Sequence, residues 1–199
     1  MDNKKIEQNY EQILENEIAK AEAGDPFRKQ LLEYLQLELR SKKIAEEYPR
    51  ILSSRDKEDA SAVWSYIENK RILMELDFLE TKLAKLQNRM NKLSGKKQLD
   101  EADQVKLQNY YGEYALTEAQ MINLQKHRTR SDIERINKAI RSYVSDAGDL
   151  DLPFAEIVKS VSSLSKEEKK AFVSAYAKAG ERFMLLSATE LTNLQTFGE

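Results

Sequence analysis

Residues 72–93 read ILMELDFLETKLAKLQNRMNKL, and this stretch decides the fold. Its large apolar residues recur in an unbroken alternation of four and three positions, which is the pattern of a coiled-coil seam. The members of this seam are Ile72, Leu76, Leu79, Leu83, Leu86, Met90 and Leu93. The sequence therefore predicts a long helix whose apolar stripe packs on a second helix.

The second helix follows directly in the sequence. Glycine in Ser94-Gly95 can adopt the left-handed conformation that closes a helix, and a new helical pattern begins at Leu99. In an antiparallel hairpin that turns near Lys96 and Lys97, facing residues have numbers that add to about 193. The predicted layers are Leu86 with Leu107, Leu83 with Tyr110, Leu79 with Tyr114, Leu76 with Thr117 and Ile72 with Met121. Each layer has an apolar or near-apolar partner, which predicts an antiparallel helical hairpin.

The segments on either side of the hairpin also have helical patterns. We predict an all-α protein in which a long antiparallel coiled-coil helical hairpin packs with N-terminal and C-terminal helices into a helical bundle. The predicted organisation is an N-terminal helical pair over residues 1–50 and the long hairpin over 51–148, with its tip near 94–98. C-terminal helices over 149–199 are expected to pack on the hairpin base or on a partner.

Two prolines mark boundaries in the N-terminal pair. Gly24 ends the first helical pattern, and Asp25-Pro26 then supplies an N-cap residue followed by proline at the first helical position. Pro49 disfavours helical geometry at the residue before it, so the second helix is predicted to end near Glu47. Residues 50–56 are predicted to be a linker into the hairpin.

The return arm of the hairpin is less regular than the outgoing arm. Gly112 lies inside it at a cost of about 1 kcal/mol relative to alanine, and the heptad pattern fails after Leu124. Ser131 and Glu134 have the spacing of a capping box, which is compatible with a new helix starting at 132. The alternative is one continuous, bent helix whose seam rotates to a new face, and we favour it over a break near 128–132.

The C-terminal segment contains further helical patterns. Pro153 opens a short helix, and Ser165 and Glu168 have the spacing of a capping box ahead of the final helix. Small residues recur every four positions in that final helix, with Gly180 among them, and this pattern lets another helix approach closely. The predicted helix-packing interface comprises Ala171, Ala175, Ala179 and Phe183.

Composition and charge exclude several classes of protein. The 199 residues include 32 Lys and Arg against 34 Asp and Glu, a net charge of −2 that gives no argument for nucleic acid as the main partner. The absence of cysteine excludes disulfides, thiolate metal sites and cysteine nucleophiles. No apolar run is long enough to span a bilayer, and the N-terminus lacks the apolar core of a signal peptide. We therefore expect a cytoplasmic protein.

No motif in the sequence predicts a catalytic, metal or cofactor site. Asp100-Glu101-Ala102-Asp103 matches a helicase nucleotide-hydrolysis box in letters only, because no glycine-rich phosphate loop accompanies it. We expect these acids to begin a helix, where negative charge suits the macrodipole. His127 is the only histidine and lies among basic residues, so no metal-ligand set forms around it. Trp64 is expected in the core near the hairpin base rather than in a binding hot spot.

A run of basic residues without an acid marks the hairpin tip. Its members are Lys82, Lys85, Arg89, Lys92, Lys96 and Lys97. The predicted register places the acids at 101 and 103 near Lys92 and Arg89, so most of these charges are expected to pair across the hairpin. Lys96 and Lys97 are left free in that register. The candidate contact for an anion or a partner is therefore the group Lys92, Lys96 and Lys97.

The surplus of amphipathic helix without accompanying chemistry favours an interaction protein over an enzyme. We expect a non-enzymatic adaptor, scaffold or inhibitor that engages protein partners, or a second copy of itself, through a projecting coiled-coil hairpin and apolar helix faces. The alternative is a protein that binds nucleic acid or another anion through the basic hairpin tip and the 126–141 face.

Overall fold

Seven helices and no strand make up the part of the chain that the computed structural model describes. That part is the backbone of residues 3–51, 57–127 and 153–196, with the side chains of residues 10–40, 42, 67–126 and 153–194. The helices are α1 (Asn3–Glu22), α2 (Pro26–Ile51), α3 (Lys57–Ser94), α4 (Glu101–His127), α5 (Phe154–Ser162), α6 (Lys166–Arg182) and α7 (Ala188–Thr196). The predicted all-α fold class is confirmed.

The chain divides into two compact units. The first, which we call the terminal unit, comprises Met1–Arg71 and Arg130–Glu199, and the second, the hairpin unit, comprises Ile72–Thr129. The N-terminal and C-terminal parts of the sequence therefore belong to one unit, although the whole hairpin unit separates them along the chain.

The terminal unit is a helical bundle with α2 at its centre. α2 packs against α1, α5 and α6, and α6 also packs against α1 and α7. Leu31, Leu35 and Leu37 are each at most 3% exposed, so α2 is buried on more than one side. The edge of the Tyr34 ring meets the Phe183 ring, with centroids 5.8 Å apart. Burial of large side chains of this kind supplies most of the free energy that holds such a bundle together.

The turn between α1 and α2 confirms the predicted boundary. Gly24 has a φ of +108°, a left-handed conformation that costs glycine little. The Asp25 carboxylate accepts hydrogen bonds from the backbone N–H groups of Phe27 and Arg28, at 3.0 and 3.1 Å. Asp25 is thus the N-cap residue of α2, and Pro26 occupies the first helical position.

The predicted end of α2 near Glu47 is wrong, because the helix continues through Pro49 to Ile51. Pro49 lies in the last turn, where the missing N–H removes a single helical hydrogen bond, so proline disfavours this turn without forbidding it. The predicted linker over 50–56 is correspondingly shorter at its start, and residues 52–56 lie outside the described part of the chain.

The hairpin unit has the heptad burial pattern predicted for both arms. In α3 each seam residue from Ile72 to Leu93 is buried or half-buried. In α4, between Glu101 and Lys126, the residues that are not exposed are Asp103, Leu107, Tyr110, Tyr114, Thr117, Met121 and Leu124. These seven residues alternate by four and three, so the long α3–α4 pair packs along the predicted seams.

Contacts of basic side chains also join the arms of the hairpin. Lys82 Nζ lies 3.0 Å from Glu113 Oε1, and the Arg89 guanidinium lies 5.8 Å from the centre of the Tyr110 ring. The predictions of a bend or a break near 128–132 and of a loop before Pro153 fall on residues outside the described part of the chain.

The start of α6 confirms the predicted capping box. The Ser165 hydroxyl accepts a hydrogen bond from the Glu168 N–H at 3.3 Å, and the Glu168 carboxylate accepts one from the Ser165 N–H at 2.8 Å. The reciprocal bonds satisfy two backbone donors that the helix itself cannot pair. The short helix predicted after Pro153 is α5, with Ile157 and Val161 buried.

Candidate interaction surfaces

The side of α4 opposite its seam is exposed and free of charge. This surface, which we call the outer face, comprises Val105, Gln108, Tyr111, Gly112, Ala115, Leu116, Ala119 and Ile122, all of them exposed. Its four large apolar side chains are 51–67% exposed. The other two exposed large apolar residues among the described side chains, Phe27 and Leu73, are less exposed, at 39% and 44%. Contiguous apolar surface of this kind marks sites of interaction.

Gly112 lies in the middle of the outer face. A Cβ atom built at this position has no atom of the chain within 4 Å, so packing within the chain does not require a glycine there. Glycine inside a helix nevertheless costs about 1 kcal/mol relative to alanine. A close approach by something outside α4 is one condition that favours glycine at such a position.

The structure corrects the predicted charge pairing at the hairpin tip. Lys96, expected to be free, donates a hydrogen bond to Asp103 at 2.6 Å, and this bond raises the pKa of Lys96. Asp103 occupies a buried seam position. The predicted register placed Arg89 beside Asp103, whereas in the structure Asp103 pairs with Lys96. The Asp100 carboxylate accepts the Asp103 N–H at 2.7 Å and caps the first turn of α4.

The other basic residues of the tip have mixed surroundings. Lys82 is only 8% exposed and pairs with Glu113, while burial and the nearby Arg89 lower the pKa of Lys85. Lys92 and Lys97, the remaining members of the predicted contact group, are exposed. The described part of the tip is therefore less available to an anion than its run of basic residues indicates.

The four residues of the predicted helix-packing interface on α6 separate into two pairs. Ala179 and Phe183 are 8% and 0% exposed, so they pack inside the terminal unit. A Cβ on Gly180 would lie 2.4 Å from Leu186 Cδ1, which shows that this glycine makes room for the chain's own leucine. Ala171 and Ala175, by contrast, reach the surface of the unit.

Ala171 and Ala175 line an open groove between α2 and α6. The groove has a volume of about 330 Å³. Its other lining residues are Leu35, Glu38, Leu39, Lys42, Glu168 and Phe172. An apolar floor with charged residues along the rim is the usual composition of a site for a peptide or a side chain of a partner.

A network of charges in the terminal unit surrounds one arginine. The Arg28 guanidinium donates hydrogen bonds to Glu17, at 2.7 Å, and to the carboxylates of Asp25 and Glu190. The Tyr176 hydroxyl donates a further bond to Glu17 at 2.7 Å. These five residues, which we call the Arg28 cluster, join α1, α2, α6 and α7.

The electrostatics of the Arg28 cluster follow from this pairing. Burial alone would lower the pKa of Arg28, but hydrogen bonds to Glu190, Glu17 and Asp25 outweigh burial and raise it. The bond from Arg28 and the N–H of Ser187 lower the pKa of Glu190 to about 2. Burial, together with the negative charge of Glu17, raises the pKa of Tyr176. The cluster is a paired structural network, and the lowered pKa values of Asp25 and Glu190 keep these two carboxylates ionised.

Sequence reasoning missed both the outer face and the Arg28 cluster. The sequence does contain a sign of the outer face, because apolar and small residues recur at helical spacing on the side of α4 away from its seam. Glu190 also has one, because Ser187 and Glu190 have capping-box spacing, and their reciprocal bonds at 2.7 and 3.2 Å begin α7. Arg28 has none, because its partners Glu17 and Glu190 are distant in sequence and follow no period.

The described residues include neither a candidate metal site nor a helix that could span a membrane. None of the described side chains form a group of three or more potential ligands that could hold a metal ion. Within the same part of the chain, no helix has the length and apolarity needed to cross a membrane. The side chains of Trp64 and His127 lie outside the described set.

No protein-family model, no curated protein sequence and no solved structure matches this chain.

Proposed function

We propose that this protein is a non-enzymatic interaction module, an adaptor, scaffold or inhibitor, that binds protein partners through its coiled-coil hairpin and apolar helix faces. The observation that carries the proposal is the outer face of α4, where Val105, Leu116 and Ile122 are each more than half exposed. Leaving apolar surface in water costs roughly 25 cal/mol per Å², so a partner that covers this face gains free energy.

The groove between α2 and α6 adds a second apolar surface, in the terminal unit. Leu35, Leu39 and Phe172 contribute its apolar floor, while Glu38, Lys42 and Glu168 supply charge. A chain with two separate apolar surfaces, one in each unit, suits an adaptor or scaffold that binds more than one segment of protein.

The charges of the described residues favour protein over nucleic acid as the partner. Lys96 and Lys82 are paired with Asp103 and Glu113, and Arg89 lies over an aromatic ring. A binder of nucleic acid uses basic side chains to neutralise phosphates, so each pairing within the chain weakens that alternative. The 126–141 face lies almost wholly outside the described side chains.

The test is an affinity purification of the tagged protein from its native cells, with half of each sample treated with nuclease. We compare the wild type with Leu116→Glu, which places a charge on the outer face, and with the pair Lys92→Glu and Lys97→Glu at the tip. Lys96 is left unchanged because its reversal would put a second carboxylate beside Asp103.

If the protein is an interaction module, the Leu116→Glu variant should no longer bind the protein partner. The wild type should keep the partner after nuclease treatment, and the tip variant should keep it as well. Loss of binding on nuclease treatment, together with loss in the tip variant, would instead establish the anion-binding alternative. A hydrolytic or transfer activity that persists in highly purified protein would overturn the non-enzymatic assignment.

A further inference from the structure

The outer face of α4 contains a second heptad pattern. Its central residues alternate by three and four positions on the side of the helix away from α3, which gives α4 one seam on each side. The residues of this second seam are Val105, Gln108, Gly112, Ala115, Ala119 and Ile122. A second seam on an exposed face predicts a second helical partner.

The second seam is symmetric about its own midpoint. In an antiparallel pair of identical helices, residues that face each other have numbers with a constant sum, and here a sum of 227 pairs every residue of the second seam with another member of it. The layers are Val105 with Ile122, Gln108 with Ala119, and Gly112 with Ala115. Large side chains close both ends, and the smallest ones meet at the centre.

The two large residues that flank the second seam obey the same symmetry. Tyr111 and Leu116 lie at equal distances from the midpoint between residues 113 and 114, on opposite edges of the seam. Across a two-fold axis at that midpoint, Tyr111 of one copy lies near Tyr111 of the other, and Leu116 of one copy lies near Leu116 of the other. The four large apolar residues of the outer face are all used in this arrangement.

The charges at the two ends of the face are complementary. Glu101 and Lys126 also have numbers that add to 227, and both are exposed. In the antiparallel pair, Glu101 of each copy therefore faces Lys126 of the other copy, which forms two opposite-charge layers beyond the apolar ones.

Gly112 provides an independent argument for a helix as the partner. Its missing Cβ serves no contact within the chain, since no atom lies within 4 Å of that position. Opposite Ala115 of a second copy, a glycine lets two helix backbones approach more closely than larger residues allow. The small central layers thus fit a close helix–helix contact.

We propose that the outer face is a dimer interface, in which the α4 helices of two copies of this chain pack antiparallel about a two-fold axis between residues 113 and 114. The inference rests on the proposed function and names the partner of the outer face. Each copy contributes about ten residues, fewer than the roughly 20–30 of a standard interface, so the dimer is weak and depends on concentration.

The first test measures the mass of the full-length protein by sedimentation over a range of concentrations. The wild type should shift from monomer to dimer, whereas Gly112→Glu should weaken dimerisation at least about tenfold by blocking close approach and adding charge near the axis. Glutamate favours helix over glycine and has open space here, so this variant keeps its fold. Gln120→Glu is the matched control, because it adds the same charge to an exposed position outside the outer face.

The second test uses the two charged layers. Glu101→Lys and Lys126→Glu each place like charges at both ends of a homodimer, and each variant alone should dimerise more weakly. A mixture of the two variants restores opposite charges at both ends, so it should form heterodimers in preference to either homodimer. Equal dimerisation of the variants and the mixture would contradict the antiparallel register.

The third test fixes the orientation by cross-linking, which the absence of native cysteine makes specific. A mixture of Val105→Cys and Ile122→Cys chains should form a disulfide between copies, because these positions share a layer. Either variant alone should not, since its two cysteines lie on the order of 25 Å apart along the helix axis. Self-linking of Val105→Cys would indicate parallel helices and overturn the proposal.

The outcomes separate this inference from the proposed function. A monomer at every concentration, or a dimer unaffected by Gly112→Glu, overturns the second copy as partner. If Leu116→Glu still abolishes binding of another protein in that case, the proposed function stands and a different partner occupies the outer face. Loss of both binding and dimerisation in the outer-face variants supports both.

Discussion

The Arg28 guanidinium contacts three carboxylates that come from α1, the α1–α2 turn and α7. Arg28 is 7% exposed and Glu17 is 5% exposed, so neither charge is well solvated. Such a group is stable when each charge is paired and hydrogen-bonded, and removing one member leaves the others uncompensated. Arg28 therefore holds together helices that lie far apart in the sequence.

Replacing this arginine should destabilise the terminal unit strongly. We expect Arg28→Met to lower the free energy of unfolding by about 3 kcal/mol, because Glu17 would stay buried without its main cation. Lys20→Ala is the matched control: Lys20 also pairs with Glu17, at 2.9 Å, but its side chain is 52% exposed, so we expect a loss below about 0.5 kcal/mol. Urea unfolding of both variants measures the difference, and equal losses would contradict the structural role of Arg28.

Stability should also depend on pH through Glu190. The pKa of Glu190 falls from an ordinary 4.5 to about 2 in the folded chain. The ionised carboxylate therefore contributes fully to the free energy of unfolding above about pH 4.5, and this contribution is lost as the pH falls toward 2. Glu190→Gln should lower the urea midpoint near neutral pH and flatten its decline in acid. In an Arg28→Met background the same substitution should have a smaller effect, and an unchanged effect would mean that Arg28 is not the cause.

At the scale of the helix, two glycines in similar sequence settings have opposite surroundings. A Cβ at position 180 would lie 2.7 Å from Leu186 Cγ, whereas a Cβ at position 112 meets no atom within 4 Å. We expect Gly180→Ala to destabilise by about 1–3 kcal/mol through overpacking, and Gly112→Ala to stabilise by up to about 1 kcal/mol through helix propensity. Thermal unfolding at a protein concentration too low for self-association measures the change in stability of each variant. If both substitutions stabilised the protein, or both destabilised it, the result would contradict these local environments.

Most of the helices and most of their boundaries could be predicted from the sequence because they depend on local, periodic signals, but α7, which follows the helix predicted to be the final one, was missed. The seam from Ile72 to Leu93 placed the buried stripe of α3, and Gly24 with Asp25 placed the α1–α2 turn. The end of α2 could not be placed as well, because proline weakens a last turn by an amount that other interactions can offset. The local pattern determines the type of element more firmly than its end.

The contacts of individual charges were harder to predict than the helices. Lys96 pairs with Asp103, and the cap at Asp100 starts α4 at Glu101, two residues later than the predicted start at Leu99. Flexible charged side chains at a hairpin tip can choose among several partners, whereas the apolar seam is fixed by burial. Two of the partners of Arg28, Glu17 and Glu190, depend on tertiary packing, and so no period in the sequence could have indicated them.

For the molecule as a whole, the two units differ in how far apart their contacting residues lie along the chain. The terminal unit joins Lys169 to Glu11 and Tyr176 to Glu17, pairs that are 158 and 159 positions apart. The hairpin unit is formed by two helices that follow each other directly. Contacts distant in sequence cost more loop-closure entropy before they form, and they slow folding.

We therefore expect the hairpin unit to fold first. In a pulsed hydrogen-exchange experiment during refolding, amides of α4 should become protected before those of α1 and α6. The measurement needs the full chain and low protein concentration, so that folding is not mixed with association. Protection of α1 and α6 before α4 would show that the terminal unit nucleates folding.

The exposed turn that joins α3 to α4 makes this chain a candidate for fragment complementation. A cut between Lys97 and Gln98, both exposed, would leave one arm of the hairpin on each fragment. The same cut would place α1 and α2 on one fragment and α5, α6 and α7 on the other, so both units would be divided between the fragments. Two such fragments have complementary seams and a shared terminal core, and we expect them to reassemble as a split protein that reports when its two halves are brought together.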